Sequence, residues 1–389
     1  MNFRVVTERT PAAQAVRTSV PYSTRLVSLD VLRGVTIAVM ILVNNSNQYA
    51  YWPLHHSAWN GWTPTDLVFP TFLFLMGASL VFSFESRLSK GVSKTILLTH
   101  TVRRFAILFL LGLVVNGFPY FHLGTLRIYG VLQRIAICFL LASMLYLWDR
   151  GPRSKIILAV GALIGYWLLM RWVVVPGYGL PGRDIPLLDK DANLVAYFDR
   201  RIFPGRLYEG VRDPEGLLST LPALATTLLG MLSAMWLRTT QDQFRKCWGM
   251  LIAGVVLLCT GELWNIWFPI NKKLWTSSFV LFTAGVALVL WAICYWAVEI
   301  KGWKRGWTYP WLVFGMNAIT AYVFSELLAS ALWAIHVHSH LSLESLCYGY
   351  LFAPIHPSAV AALVYALSFV LVCWLPVLVL YRRQIFIRV

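Results

Sequence analysis

A histidine and an aspartate ten positions apart, His56 and Asp66, could carry proton transfer in this sequence. Imidazole titrates near neutral pH, so His56 could act as a general base and accept a proton from an attacking amine or hydroxyl. Asp66 could orient that imidazole and stabilise its charged form. The alternative is that His55 and His56 are surface residues within an aromatic belt, and that Thr65 and Asp66 only start a helix.

The first hydrophobic segment contains polar residues near both of its ends. Asp30 and Arg33 are three residues apart and can pair on one face of a helix. Either they form a neutral packing contact, or Arg33 faces a cytoplasmic vestibule and receives an anionic ligand. Asn44 lies roughly 16 Å beyond Arg33 along a helix. It could cap the helix there, or contribute to a site near the outer surface.

Further polar residues lie inside later hydrophobic segments. Gln133 and Arg134 are two of them, and an unpaired arginine at such a depth needs a counter-charge or an aqueous ligand. Asn317 and Glu326 are two others, for which hydrogen bonding between helices is the common role.

Four histidines near the carboxyl end raise the question of a metal site. His336, His338 and His340 alternate, which predicts an extended strand or a loop, and His356 follows. Because acidic and cysteine ligands are lacking nearby, we predict no metal. The six cysteines form no CxxC pair, so a disulfide framework is not expected either.

The composition identifies the elements that must position these residues. Of 389 residues, 58% are hydrophobic and 13% are charged, whereas soluble domains have about 25% charged residues. Hydrophobic runs long enough to cross a bilayer recur throughout, which predicts an all-α polytopic membrane protein. About ten spans are predicted, near residues 26–45, 65–84, 104–118, 126–148, 155–175, 217–238, 247–266, 275–298, 309–333 and 357–381.

The net charge of +16 comes mainly from loops on one face. The short loops of the other face hold only Arg127, Lys272 and Lys273. This asymmetry follows the positive-inside rule, so it predicts two cytoplasmic termini and no nucleic-acid partner. The basic groups include Arg4, Arg9, Arg17 and Arg25 in the tail, Arg103 and Arg104 where the third span begins, Arg305, and Arg388.

Three segments on the outer face are long enough to be structured and to carry function. The 46–64 loop is rich in Trp, Tyr, Asn and His, and the 334–357 loop carries the four histidines. The 176–216 segment is predicted to form an extramembrane cap. Without a visible internal repeat, we predict a cytoplasmic tail at 1–25 and a single membrane domain at 26–389.

Several motifs together resemble the transmembrane acetyltransferase family of heparan-α-glucosaminide N-acetyltransferase. The resemblance covers nearly the whole chain after residue 25, and its longest block is specific. The matching segments are DVLRG at 30–34, VN at 43–44, HSAWNGWTPTDLVFPTFLFLMG at 56–77, GVLQR at 130–134, YFDRRIF at 197–203, DPEGLLST at 213–220, PINKKLW at 269–275 and GMNAITAYVFSE at 315–326.

This resemblance implies transfer of an acetyl group from cytosolic acetyl-CoA to a glucosamine-type sugar across the membrane. It implies that His56 and Asn44 are catalytic, with Asp66 in support, although the spacing between His56 and Asn44 is one residue longer than in the lysosomal enzyme. His56 would be a base in a direct transfer or an acetylated nucleophile in a two-step route. The resemblance also implies a homodimer and, for a bacterial relative, an inner-membrane location.

The ligand contacts are predicted by combining the resemblance with the charge distribution. The phosphates of acetyl-CoA would enter from the basic face, and an amino sugar or glycan would bind on the periplasmic side. The predicted acetyl-CoA contacts are Arg33, Gln133, Arg134, Arg103 and Arg104. The predicted acceptor contacts are Trp59, Asn60, Asp213, Glu215, Asn271, Lys272, Asn317 and Glu326.

Two other functions remain open from the sequence. An amino-sugar transporter could line its path with Asp30, Arg33, Asn317 and Glu326, since some bacterial relatives are described as N-acetylglucosamine permeases. However, neither repeats nor broken helices are clear in the sequence. O-acetylation of an envelope polysaccharide would use the same site with a hydroxyl acceptor.

Overall fold

The fold was obtained as a computed structural model that describes residues 26–304, 306–337 and 341–387. The predicted tail at 1–25, His338, His340, Arg305 and Arg388 lie outside these residues. Within them the chain is helical, with one short hairpin. The elements are α1 Val27–Asn44, α2 Val68–Leu88, α3 Lys94–Gly117, α4 Val131–Trp148, α5 Pro152–Trp172, α6 Leu194–Ile202, α7 Thr220–Leu237, α8 Gln243–Asn265, α9 Ser277–Tyr295, α10 Tyr309–Met316, α11 Ala318–Ala334, β1 His336–Val337, β2 Leu341–Ser342, α12 Leu343–Leu351 and α13 Ser358–Arg382.

The predicted membrane architecture is confirmed. Among the described residues, nine helices are long and apolar enough to cross a membrane, and α10 with α11 would form a tenth span. Two of these spans are longer than the α-helices that form them. The span of α2 begins with a 3₁₀ turn at Pro64–Leu67, and the span of α9 ends with a π turn at Trp296–Ile300. His336 lies in β1, which pairs with β2, in agreement with the predicted extended conformation.

The third and fourth spans begin at other residues than predicted. α3 begins at Lys94, where the Ser93 side chain accepts a hydrogen bond from the backbone N–H of Ile96. Arg103 and Arg104 therefore lie within this helix and not at its entry. Arg103 is exposed, whereas the Arg104 guanidinium packs over the Phe139 ring. α4 begins only at Val131, because an extended segment precedes it.

The ninth span is broken, which the sequence did not reveal. α10 and α11 meet at Asn317 at an angle of 82°. The Asn317 side chain donates to the carbonyl oxygen of Ile385 at 3.2 Å and accepts from the backbone N–H of Ile387 at 2.9 Å. The segment after α13 therefore satisfies the polar groups of the side chain at the break.

Glycines bring two pairs of helices into backbone contact. A Cβ on Gly34 of α1 would lie 1.8 Å from the carbonyl oxygen of Trp311, and one on Gly315 of α10 would lie 2.0 Å from that of Asp30. Gly230 of α7 approaches α2 in the same way. Small residues of this kind allow helices to pack closely inside a membrane, where van der Waals contact drives association. α1 and α10 are therefore held together over about a turn.

The direction of α1 defines the two ends of the bundle. We call the end where α1 begins the Val27 end, and the end where it finishes the Asn44 end. α5 and α8 both finish at the Asn44 end, because the helices before them run alternately up and down. Several side chains of α3, α5 and α8 are apolar and exposed, for example Leu110, Ile157 and Ile252.

Residues 176–216 cover part of the Asn44 end. They contain α6, and Leu188 and Leu194 pack with Tyr166, Met170 and Phe268 into a second hydrophobic cluster. This cluster fixes residues 176–216 on α5 and on the loop after α8.

One carboxyl group in this segment is buried. Asp199 of α6 is fully buried, and one of its oxygens, Oδ2, has no hydrogen-bond partner among the described residues. Burial raises the pKa of Asp199 to about 7, with a further contribution from Asp213, although the backbone N–H of Leu217 opposes the shift. The neutral acid is therefore the form that the fold favours.

This shift predicts a loss of stability as the pH rises. Asp199 is neutral in both states below its unfolded pKa, and its contribution disappears as the pH rises through about 7. The full shift corresponds to about 4 kcal/mol. We expect Asp199→Asn to unfold at a higher temperature than the wild type at about pH 8, and by a smaller margin at about pH 5.

Thermal unfolding of detergent-solubilised protein at the two pH values measures this margin. Asp184→Asn is the matched control, because that carboxyl is exposed and its pKa is lowered by Arg183, so it does not titrate in this range. The same margin at both pH values for Asp199→Asn would contradict the prediction.

Candidate active site

The loop after α1 is folded back against the start of the next helix by its own side chains. The Thr63 hydroxyl donates to the carbonyl oxygen of His55 at 2.6 Å, and the Thr65 hydroxyl donates to that of Pro53 at 2.9 Å. Thr63 and Asp66 form a reciprocal capping box at the 3₁₀ turn. These bonds fix the position of His56 relative to Asp66.

The two carboxylate oxygens of Asp66 have different partners. Oδ1 lies 2.7 Å from Nδ1 of His56. Oδ2 accepts hydrogen bonds at 3.0 Å from the backbone N–H groups of Ser57 and Thr63. It also lies 3.0 Å from the Thr63 hydroxyl, whose single proton it shares with the carbonyl oxygen of His55. The helix-start role and the imidazole-orienting role, which the sequence presented as alternatives, are therefore both present in one side chain.

This arrangement determines which nitrogen of His56 carries the proton in the neutral ring. An ionised carboxylate only accepts hydrogen bonds, so Nδ1 must hold the proton that faces Asp66. Nε2 then carries the lone pair of the ring, with Nζ of Lys272 as a neighbour at 3.4 Å. The His56 side chain is 49% exposed and the Asp66 side chain only 1%, so a buried carboxylate faces an accessible imidazole.

A second loop, between α8 and α9, brings a lysine to the same place. The backbone N–H of Gly61 donates to the carbonyl oxygen of Ile270 at 2.7 Å, and the Asn271 amide donates to Oδ1 of Asn60 at 3.2 Å. As a result, Nζ of Lys272 lies 3.0 Å from Nδ1 and 3.4 Å from Nε2 of His56.

Lys272 also faces Asp66. Its Nζ lies 3.4 Å from Oδ1 of Asp66. Burial lowers the pKa of Lys272 below its usual value, and the negative charges of Asp66 and Glu215 oppose this shift. His56, Asp66 and Lys272 therefore form one compact cluster of titratable groups.

Three of the predicted acceptor contacts hold these loops together. Asn271 is fully buried, and its Oδ1 accepts from the backbone N–H of Leu274 at 2.9 Å. Nε1 of Trp59 donates to the carbonyl oxygen of Leu188 at 2.7 Å. Asn60 remains exposed beside Asn271. A role for these residues in binding an acceptor remains a prediction.

Arg127 organises the neighbouring acidic residues and was not predicted as a site residue. Its guanidinium binds Asp213 through two bonds of 2.6 and 2.8 Å, and it binds Glu215 at 2.5 Å. The signal in the sequence was that Arg127 is one of three basic residues in the short loops of a face otherwise poor in Lys and Arg. Glu215 is close enough to Lys272 for their charges to interact.

Asn44 approaches this group from the end of α1. Its amide donates to Oε1 of Glu326 in α11 at 2.9 Å. The capping role considered for Asn44 belongs instead to Asn45, whose amide donates to the carbonyl oxygen of Ile41. Tyr322 is close enough to Glu326 and Glu215 to interact with the charge of each. Glu215 in turn interacts with Lys272. These electrostatic interactions link Glu326, the partner of Asn44, to the cluster that contains His56.

The predicted acetyl-CoA contacts fall into two groups, the first of which lies towards the Val27 end. Arg33 pairs with Asp30 at 2.7 Å and donates to the carbonyl oxygen of Gly315 at 2.8 Å. The charge of Arg104 interacts with that of Arg33, and the buried Nε of Arg104 has no hydrogen-bond partner among the described residues. Arg103 is exposed.

The second group, Gln133 and Arg134, lies in the first turn of α4 at the Asn44 end. Nη2 of Arg134 donates to the Ser219 hydroxyl at 2.5 Å, and the guanidinium packs over the Trp275 ring at 4.9 Å. Nε and Nη1 of Arg134 and both amide atoms of Gln133 are buried without a partner among the described residues. Asn317, a predicted acceptor contact, lies at the break of the ninth span, where the segment after α13 binds its side chain. Over the described ranges, no three His, Cys, Asp or Glu side chains lie close enough together to hold a metal ion.

Comparison with known proteins decides the family. A family model described as heparan-alpha-glucosaminide N-acetyltransferase, catalytic, matches residues 25–262. The chain belongs to this family. The resemblance inferred from the sequence motifs is thereby confirmed, and Asn44, His56, Asp66 and Arg127 all lie within the matched range.

Two curated relatives carry the family name. The chain is 31% identical over 356 residues to heparan-alpha-glucosaminide N-acetyltransferase of Mus musculus, which covers 78% of this chain and 54% of the mouse protein. It is 31% identical over 354 residues to the Homo sapiens protein of the same name, with 78% and 53% covered. The chain therefore spans about half the length of these relatives. Lys272 and Glu326 lie beyond the range that the family model matches.

Proposed function

We propose that this member of the heparan-alpha-glucosaminide N-acetyltransferase family transfers an acetyl group from acetyl-CoA to the amine of a glucosamine-type sugar at the Asn44 end. The single observation that carries the proposal is the 2.7 Å contact between Nδ1 of His56 and the buried carboxylate of Asp66. It leaves Nε2 of an accessible imidazole as a proton acceptor, which an amine nucleophile needs.

The reaction balances with these groups. The sugar nitrogen attacks the thioester carbonyl carbon, a C–N bond forms, and the C–S bond to coenzyme A breaks. Nε2 of His56 takes the proton that the amine loses, while Asp66 stabilises the imidazolium that results. The thiolate of coenzyme A leaves and receives that proton, so that His56 returns to its neutral form.

Asn44 supplies a donor to the oxygen on which negative charge develops. One hydrogen of its amide is used by Glu326, and this bond orients the side chain and leaves the second hydrogen for the thioester oxygen. A preorganised donor of this kind typically contributes a factor of about 10²–10³ to the rate.

The donor substrate is assigned to the Val27 end because positive charge accumulates there. Arg33 and Arg104 approach each other with an unpartnered buried Nε on Arg104, which suits the phosphate groups of acetyl-CoA. Short loops rich in Lys and Arg are cytoplasmic under the positive-inside rule. The Asn44 end would then be periplasmic if the protein lies in a bacterial inner membrane, and the acetyl group crosses between the ends.

The test mixes purified protein with acetyl-CoA and glucosamine and follows free coenzyme A and N-acetylglucosamine together by mass spectrometry. Equal amounts of both products, well above those of the His56→Ala variant, are expected. Acetyl-CoA that stays intact with glucosamine and with other amino sugars would overturn the proposal. An ester product formed with a polysaccharide hydroxyl would identify O-acetylation at the same site.

The break at Asn317 supports a second candidate, an amino-sugar transporter. Broken helices near a midplane site are typical of transporters. The polar side chain at this break is already satisfied by Ile385 and Ile387, which favours the acetyltransferase. Uptake of unmodified glucosamine into sealed vesicles without acetyl-CoA would support transport.

A further inference from the structure

A large apolar crevice lies beside the candidate active site. It occupies about 940 Å³ between α5 and α8 at the Asn44 end, at the upper limit for sites that hold drug-sized ligands. On α5 its lining extends from Val160 to Arg171, roughly 16 Å along the helix axis. Leu187, from the covering segment, forms part of its roof.

The crevice opens towards the lipid. Val160 and Ile164 on α5, Leu263 on α8 and Trp267 just after α8 line it, and each is roughly half exposed. Both helices are apolar enough to span the membrane, so the surroundings of these side chains are hydrocarbon. An occupant of the crevice therefore enters from the bilayer.

The end of the crevice nearest the Asn44 surface is cationic. Arg171 lines it, donates to the carbonyl oxygen of Pro181 at 2.8 Å, and packs against the Trp172 ring. Gly182 allows this approach, because a Cβ there would lie 1.7 Å from Nη1 of Arg171. No carboxylate pairs with Arg171 in the described part of the chain. The crevice thus has an apolar wall along its length and one positive charge, that of Arg171, without a paired carboxylate in the described ranges.

The roof of the crevice is bonded to the loop that carries His56. Trp59, three residues after His56, donates to the carbonyl oxygen of Leu188, next to Leu187. Trp59 also packs on the same hydrophobic cluster as Trp167 and Trp264, which form the crevice wall. The roof of the crevice and the loop that carries His56 are therefore joined through Trp59.

We infer that the crevice binds the hydrocarbon chain of a lipid-anchored acceptor, an amino sugar joined to its chain through a phosphate. The chain lies along α5 and α8, the phosphate pairs with Arg171, and the sugar extends past Trp59 to His56. This inference rests on the proposed function and specifies its substrate class. A bilayer phospholipid shares the chain and the phosphate but carries no sugar amine to acetylate.

The experiment compares two acceptors in lipid nanodiscs, glucosamine 1-phosphate and its decyl phosphodiester. We expect kcat/KM to be at least about tenfold higher for the decyl compound, because the crevice removes the apolar surface of the decyl chain from water. Leu263→Trp fills the crevice and should lower the ratio of the two kcat/KM values at least about tenfold, that is by about 1.4 kcal/mol. Arg171→Gln removes the charge that pairs with the phosphate of both acceptors, so it should lower kcat/KM for both of them and leave kcat/KM for free glucosamine, which has no phosphate, unchanged.

Ile252→Trp is the matched control, since Ile252 is exposed on α8 about three turns farther from the Asn44 end and does not line the crevice. It should leave the ratio unchanged. Equal kcat/KM values for the two acceptors, or equal ratios for Leu263→Trp and Ile252→Trp, would overturn the inference while the acetyltransferase stands. If neither acceptor nor free glucosamine is acetylated, the proposed function itself is wrong.

Discussion

Replacement of His56 by alanine is expected to lower kcat for acetyl transfer to glucosamine by a factor of about 10²–10⁴, the usual contribution of a positioned general base. The Asp66 carboxylate holds Nδ1 of His56 at 2.7 Å, so the alanine variant loses the oriented base. Initial rates of N-acetylglucosamine formation at saturating acetyl-CoA measure this effect.

The adjacent histidine provides the control for His56. His55 bonds through Nε2 to the carbonyl oxygen of Ala50 at 2.8 Å and lies outside the cluster with Asp66 and Lys272. His55→Ala should keep activity within a few-fold of the wild type, and binding of acetyl-CoA should survive in both variants. Equal activity of His56→Ala and the wild type would rule out the proposed base.

Asp66→Asn is expected to reduce kcat by about 10⁴-fold through the wrong tautomer of His56. The new side chain can keep an oxygen towards the donors of Ser57 and Thr63, which places its amide NH₂ against Nδ1 of His56. Nδ1 then accepts a hydrogen bond, the ring proton moves to Nε2, and the base has no free lone pair. The measurement is kcat together with the unfolding temperature.

A change at the other oxygen separates this effect from general destabilisation. Thr63→Val removes the hydroxyl that lies between Oδ2 of Asp66, at 3.0 Å, and the carbonyl oxygen of His55, at 2.6 Å. It leaves the backbone N–H bond of residue 63 to Oδ2 and the contact of Oδ1 with His56 in place. This variant should lose about 1 kcal/mol of stability and keep most of its activity. If Thr63→Val and Asp66→Asn lose activity in parallel, the role of Asp66 is to hold the loop and not to orient the imidazole.

The sequence was informative where the deciding residues are near each other in the chain. Hydropathy located the spanning helices because about twenty apolar residues in succession are stable as a helix across the hydrocarbon core of a bilayer. The pairing of Asp30 with Arg33 followed from helical spacing. The proximity of His56 and Asp66 was predictable as a possibility, because only ten positions separate them.

Contacts between distant segments could not be found in the same way. Lys272 lies 216 positions from His56, and Arg127 lies 86 from Asp213, so loop closure by the tertiary fold decides both contacts. The start of α3 was missed because a helix that carries Lys94, Arg103 and Arg104 has the composition of a loop. The break at Asn317 depends on backbone groups from a segment that follows it by about seventy residues.

Gly34 and Gly315 bring α1 and α10 into close contact, so α1 is held in place as a rigid helix of fixed length. Arg33 and Asn44 sit on this one rigid helix, roughly 16 Å apart. If phosphate binds at Arg33 and the acetyl group reacts at Asn44, the enzyme selects its donor by the length of the linker between the phosphate and the thioester. A donor with a truncated linker would then bind at Arg33 and deliver its acetyl group short of Asn44, however well its two ends matched their sites.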